Sequence, residues 1–268
     1  GITELVGPAG VGKTQFCIMM AALTCMPSTT GGGGAAVLYV DTETKFSSAR
    51  LVEIASAHFP HGLRTDEAVE DLTHRVVIAT PRTSAELLAM LHQAEALIID
   101  KGIKLVIIDS IAALPRAEYG SAQTIQRQEM LGQQAARLKF LAETLQIPVL
   151  VTNQITTSFG GASREQGSSF DMQRGRSVGP SESHLVAALG TKWAHCVNTR
   201  LVLEVAGTKR YIKVAKSPAA RLVTVSYVVT RKGVELDESH GEQRVVEHAT
   251  GSVVGLQIRN DMSGMGLP

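Results

Sequence analysis

One stretch near the start restricts the fold of this chain more than any other: Gly7, Pro8, Ala9, Gly10, Val11, Gly12, Lys13 and Thr14, which fit G-x-x-x-x-G-K-T. An apolar strand-like run, 2–6, precedes it and an apolar run, 16–26, follows. A strand that turns through glycines into a helix lets successive backbone N–H groups converge on phosphate oxygens at the positive end of the helix dipole. In that frame Lys13 reaches the β- and γ-phosphates and the Thr14 hydroxyl ligates Mg²⁺. Gly7 through Gln15 are therefore the candidate contacts for ATP, with Thr14 the first candidate metal ligand.

The rest of the chain supplies the scaffold such a loop needs. Residues 36–41 and 104–109 are continuous apolar runs, suited to parallel strands covered on both faces. Residues 31–34, four glycines, read as a flexible link. Thr83 and Glu86 have capping-box spacing, and Leu87, Leu91, Ala94 and Ile98 then share one helical face. Gly102 closes that helix. A long helix is expected over about 123–145 and a strand over 148–153. Strand–helix alternation of this kind predicts an α/β fold with a mostly parallel sheet and right-handed crossovers. Beyond Gln154, residues 156–183 lack apolar periodicity, which marks a functional or disordered loop. Strands resume at about 197–205, 210–216 and 222–230 as an antiparallel extension. The expected core is 1–236, and 237–268 reads as a mobile tail.

Two carboxylates and an amide fall at strand ends, where ligands bind in open α/β sheets. Asp109 ends an apolar strand and would hold the water shell of Mg²⁺. Asp41, Thr42 and Glu43 end another, with Glu43 the candidate base or orienting group for the attacking water. Asn153 and Gln154 end a third. An amide there could read the γ-phosphate, and a capping amide with no nucleotide contact is the alternative. Ser110 lacks a His–Asp partner pattern, so no hydrolase triad is expected. His58 and His61 have Pro60 between them, which spoils a helical metal pair. Trp193 and His195 are assigned to strand packing.

Charge and cysteine usage narrow the class. Lys plus Arg number 26 against 25 for Asp plus Glu, whereas a protein that holds nucleic acid by bulk electrostatics is normally more basic, so any such contact must come from local patches or from many subunits adding up. Three cysteines without metal spacing read as buried thiols of a reducing compartment. No segment looks like a signal peptide or a membrane span. Only one strand's worth of residues precedes the phosphate loop: either the domain begins there or an N-terminal piece is missing.

Together "GPAGVGKTQFC", "YVDTETKFSSARL" and "VLVTNQI" resemble the eukaryotic strand-exchange recombinases of the RecA family (the Rad-fifty-one family). "GKTQFCIMMA", "KGIKLVIIDS", "SHLVAALGTKWAHCVNTRLVLE" and "IKVAKSP" are similar to its B-type paralogue branch, in the plant-like form. The resemblance implies a RecA-like ATPase core, with Glu43 as catalytic glutamate, Gln154 as γ-phosphate sensor and Arg50 stacked on adenine. It also implies two DNA-facing loops, about 116–126 with Arg116 and 156–183 with Arg164, Arg174 and Arg176. Arg127 matches an arginine that meets the DNA backbone. Lys216 stands where the recombinases carry an acidic residue in the cap over a neighbour's ATP. It is either a charge-neutralising finger in trans or a solvated strand-end lysine. The family's N-terminal helical domain and subunit-docking linker have no counterpart in this sequence.

The implied function is an ATP-dependent, DNA-binding recombinase paralogue acting in homologous recombination and double-strand break repair. It would work in the nucleus within a paralogue complex, with a C-type paralogue as direct partner. The alternative is a scaffold subunit in which ATP stabilises assembly and hydrolysis is dispensable. An autonomous strand-exchange enzyme fits less well, given the altered second loop, the Lys216 cap and the near-neutral charge.

Overall fold

The computed structural model describes residues 1–154 and 189–237. Arg164, Arg174 and Arg176 of the expected second loop, and the expected tail beyond 237, lie outside the described residues.

Five apolar runs make the parallel half of one sheet. These are β1 (Ile2–Gly7), β2 (Ala36–Asp41), β3 (Val76–Ala79), β4 (Ile103–Asp109) and β5 (Val149–Gln154), in the order β3-β2-β4-β5-β1. The sheet continues through β6 (Thr199–Ala206), β7 (Lys209–Lys216), β8 (Thr224–Thr230) and β9 (Gly233–Leu236). The predicted α/β class with an antiparallel C-terminal extension is thus what forms. One detail differs: β6 pairs parallel with β1, and the antiparallel pairing begins only at β6–β7.

Helices cover both faces because successive strand side chains point in opposite directions. On one face Leu38, Val40, Val106, Ile108, Val149 and Val151 pack under α4 (Ser84–Asp100), α6 (Thr124–Thr144) and α7 (Gly190–Cys196). On the other, Leu5, Val37, Tyr39, Leu105, Ile107 and Leu150 pack under α1 (Lys13–Cys25) and α2 (Ser48–His58). This explains why the β4 run has no polar alternation: Val106, Ile107 and Ile108 are all fully buried. Leu87, Leu91, Ala94 and Ile98 of α4 are buried as their spacing predicts.

Several local expectations are corrected. Thr83 caps α4 by accepting from the Glu86 N–H (3.0 Å), but the Glu86 carboxylate reaches past it to the Arg82 N–H (2.8 Å). Residues 31–34 are no flexible link. Gly32, Gly33 and Gly34 donate to the carbonyls of Pro27, Leu23 and Met26, stitching the turn onto the end of α1. A Cβ on Gly32 would lie 2.1 Å from the Met26 carbonyl oxygen, so these glycines serve close approach rather than mobility. Helices α2, α3 (Asp66–His74), α5 (Ala113–Glu118) and α7 were not predicted as such. Trp193, on α7, is buried against the sheet as expected, whereas His195 on the same helix is exposed. The stretch 116–126, expected as a loop, is mostly helical: the end of α5, a 3₁₀ turn at Ser121–Gln123 and the start of α6.

Candidate active site

The C-terminal ends of β1, β2, β4 and β5 lie side by side, and the candidate residues converge there around a cavity of about 270 Å³. Ala9, Gly10, Gly12, Lys13, Thr14 and Gln15 line one wall. Glu43 and Lys45 line a second, and Asp109, Ser110, Thr152 and Gln154 a third.

The loop between β1 and α1 owes its shape to its glycines. Gly10 and Gly12 have φ of 74° and 115°, a left-handed backbone that side chains rarely tolerate. Gly7 has another reason: a Cβ there would sit 2.7 Å from the Leu203 carbonyl oxygen of β6. Between the glycines Val11 is buried, and its carbonyl accepts from the Tyr227 hydroxyl of β8 at 2.6 Å. The Lys13 ammonium donates to the Gly7 and Pro8 carbonyls, each at 2.8 Å. Burial lowers the Lys13 pKa from its ordinary value of 10.5, opposed by Asp109 and Glu43.

Asp109 collects hydroxyl donors. Thr14 donates to its Oδ2 at 2.7 Å, Tyr39 to the same oxygen at 3.1 Å, and Thr152 to Oδ1 at 2.6 Å. Asp41 does a different job: it accepts from the N–H groups of Glu43, Lys45 and Phe46 and so folds the turn after β2. Phe46 packs edge-on against Tyr39, and Thr42 exchanges two 2.8 Å hydrogen bonds with the Ser110 backbone. The turn holds Glu43 over the cavity. One Glu43 oxygen pairs with Lys45 and the other accepts from the Ser110 hydroxyl at 3.4 Å. The pairing raises the pKa of Lys45.

The expected pair at the end of β5 divides. Gln154 lines the cavity, whereas the Asn153 amide turns away and donates to Glu4 at 2.9 Å. Arg116 comes from α5 to donate to the Gln154 carbonyl at 2.7 Å. Arg127 lies half-buried in the first turn of α6.

Two further candidates, Arg50 and Lys216, lie outside the cavity lining. Arg50 does not line the cavity. Its guanidinium edge donates to Gln15, Glu53 and the carbonyls of Thr230 and Arg231, joining α2 to the phosphate-loop helix and the β8–β9 turn. Lys216 is the exposed last residue of β7, as the strand-end reading expects, and it does not line the cavity. Its ammonium donates to the Ala194 and Val197 carbonyls (3.0 and 2.5 Å), capping α7, and its register places it level with Glu4.

Sequence reasoning missed Thr152, Tyr39, Lys45 and Tyr227. Lys45 had a visible signal, a cation two residues from Glu43. The others meet the site only through strand pairing and packing.

The family model for Rad51 matches residues 1–237. The chain belongs to the Rad51 family. DNA repair protein RAD51 homolog 2 of Mus musculus is 42% identical over 245 residues, covering 88% of this chain and 69% of that protein. Its namesake in Homo sapiens is 41% identical, covering 89% and 64%. The one in Arabidopsis thaliana is 36% identical, covering 90% and 65%. Likeness to the B-type branch therefore extends across animals and a plant, and the sheet is the RecA-like one the resemblance implied. The chain spans about two thirds of the length of these relatives. Among the described residues no helix is long and apolar enough to cross a membrane, and no cluster of three His, Cys, Asp or Glu side chains could hold a metal alone.

Proposed function

We propose that this chain binds and hydrolyses ATP and, in a paralogue complex, binds DNA to assist a strand-exchange filament in homologous recombination and double-strand break repair. The observation that carries the reading is the convergence of Lys13, Thr14, Glu43, Asp109 and Gln154 on one cavity from four separate strand ends. The residues suit a magnesium–triphosphate: Thr14 and Asp109 set hard oxygen donors 2.7 Å apart beside the loop. Bound Mg²⁺ would neutralise phosphate charge there.

The chain's own groups then divide the work. Backbone N–H groups from Gly10 to Thr14 and the Lys13 ammonium hold the phosphates. Glu43 orients the attacking water and takes its proton, with Ser110 and Lys45 fixing the carboxylate. Gln154 meets the γ-phosphate, and Arg50 offers its flat face to adenine. Arg116 and Arg127 face DNA from the α5–α6 region, together with Arg164, Arg174 and Arg176. A near-neutral chain would owe its binding to a few phosphate contacts, lost steeply as salt rises. Lys216, exposed at the end of β7 and outside its own cavity's lining, acts on a neighbouring subunit's nucleotide. Residues 1–236 form the ATPase core with 237–268 a tail, the direct partner is a C-type paralogue, and the location is the nucleus.

A scaffold reading has one observation in its favour: both Glu43 oxygens are already engaged, by Lys45 and Ser110. Nucleotide binding and ATP turnover with DNA, measured for wild type, Lys13→Ala and Glu43→Gln, separate the two. On the hydrolytic reading Lys13→Ala binds ATP poorly. Glu43→Gln still binds it but turns over at least about 100-fold more slowly, the scale of a lost general base. Wild-type turnover in Glu43→Gln would overturn that assignment. Full complex assembly and repair by Glu43→Gln would favour the scaffold.

A further inference from the structure

Glu4, three residues before the phosphate loop, is 1% exposed, more deeply buried than Asp41 or Asp109. Its Oε1 accepts from the Asn153 amide at 2.9 Å and the Trp193 indole N–H at 2.8 Å, and its Oε2 from Arg200 Nε at 2.6 Å. One carboxylate thus fastens β5, α7 and β6 to β1. A buried ion pair contributes little stability compared with apolar packing, and its best-attested use is to hold elements in one register.

The register held here adjoins the site. Asn153 and Gln154 are consecutive on a strand, so their side chains point to opposite faces: Gln154 into the cavity, Asn153 onto Glu4. The other end of the Asn153 amide, Oδ1, is buried without a partner among the described residues. The network is therefore incompletely satisfied, and a small rotation of the β5 end can change its hydrogen bonding. Trp193 lies just after residues 155–188 and Gln154 just before them, so Glu4 ties the two sides together.

We propose that Glu4 is a positioning residue: through Asn153 it sets the orientation of Gln154, and through the Trp193 indole it passes that orientation to α7. The inference rests on the reading that Gln154 meets the γ-phosphate. Spatial intermediacy alone does not establish coupling, so the test must perturb the link and read its far end.

Trp193 is the single tryptophan of the chain, so intrinsic fluorescence reports this end directly. The whole chain is titrated with MgATP and with MgADP, and binding is followed separately by calorimetry. Trp193 emission is expected to change with ATP and not with ADP. In Asn153→Leu, which keeps the bulk and removes the donor, that change disappears while ATP affinity stays within about threefold. If Asn153→Leu fails to fold, the near-isosteric Glu4→Gln is read in the same way. An undiminished ATP response in the variant overturns the proposal, and so does a silent Trp193 when calorimetry records ATP binding. Failure of the wild type to bind ATP at all overturns the nucleotide reading and takes this one with it.

Discussion

Replacing Tyr227 with phenylalanine removes one oxygen atom and tests how the phosphate loop is braced. Tyr227 is 2% exposed, and its hydroxyl donates across 216 residues of sequence to the Val11 carbonyl at 2.6 Å. Phenylalanine keeps the ring and leaves that carbonyl without its donor where water has little access. Losing a buried hydrogen bond and stranding the acceptor costs about 1–2 kcal/mol. For a body of this size that lowers Tm by about 2–4 °C per kcal/mol. Val11 sits between two left-handed glycines, and the local brace from the Lys13 ammonium falls on the Gly7 and Pro8 carbonyls rather than on Val11. Part of the cost therefore falls on the loop itself, and ATP affinity drops by about three- to tenfold. Burial pushes the Tyr227 phenol from 10.0 up to about 12. Because the folded-state pKa is raised, the phenol's contribution is whole below about 10 and is lost as pH rises toward about 12. Thermal melts, nucleotide calorimetry and melts repeated across that alkaline window read all three effects. A phenylalanine variant with unchanged Tm, unchanged ATP affinity and an unchanged alkaline profile would refute the bracing role.

Other expectations follow from the same geometry. Desolvation lowers the Lys13 pKa, while bound phosphates favour the charged ammonium. ATP affinity should then fall as pH rises through the lowered pKa, with proton uptake on binding detectable by calorimetry in buffers of different ionisation heat; pH-independent affinity and no uptake would contradict it. Burial pushes the Cys25 thiol up to about 12 and raises Cys17 well above its usual range, whereas Cys196 is partly exposed. Alkylation of the native protein should label Cys196 first and spare the other two until unfolding. Mass spectrometry of the labelled chain checks this. Lys216→Met removes the cation that caps α7 and should cost about 0.5–1 kcal/mol. Tm measured on the isolated chain reads this cis role free of any role on a neighbour's nucleotide, and an unchanged value would refute it.

Much of the site was legible because its chemistry requires particular residue types at particular points of a local pattern. Gly10 and Gly12 must be glycine for backbone reasons, Lys13 and Thr14 must follow them, and Asp109 and Gln154 end short apolar runs of strand length. The errors have a common cause. Residues 31–34 looked mobile because glycine usually marks freedom, but here it permits contact with the Met26 carbonyl at a distance no Cβ allows. Arg116 and the stretch after it looked like loop because short helical turns carry no long apolar stripe. Helix α7 went unread because seven residues are too few to show a period.

By itself, the sequence determined that a phosphate-binding loop would join a strand to a helix, that the sheet would be mostly parallel, and that two carboxylates and an amide would stand at strand ends. These follow from local backbone preference and hydrophobic period, which act within a few residues. Tertiary structure alone decided what those groups touch. Strand order brought Asp109 against Thr14, Thr152 and Tyr39, and β8 brought Tyr227 under the loop. The alternation of one strand sent Gln154 into the cavity and Asn153 to Glu4. Such contacts join residues tens to hundreds of positions apart, and only the packing of the whole sheet can choose them.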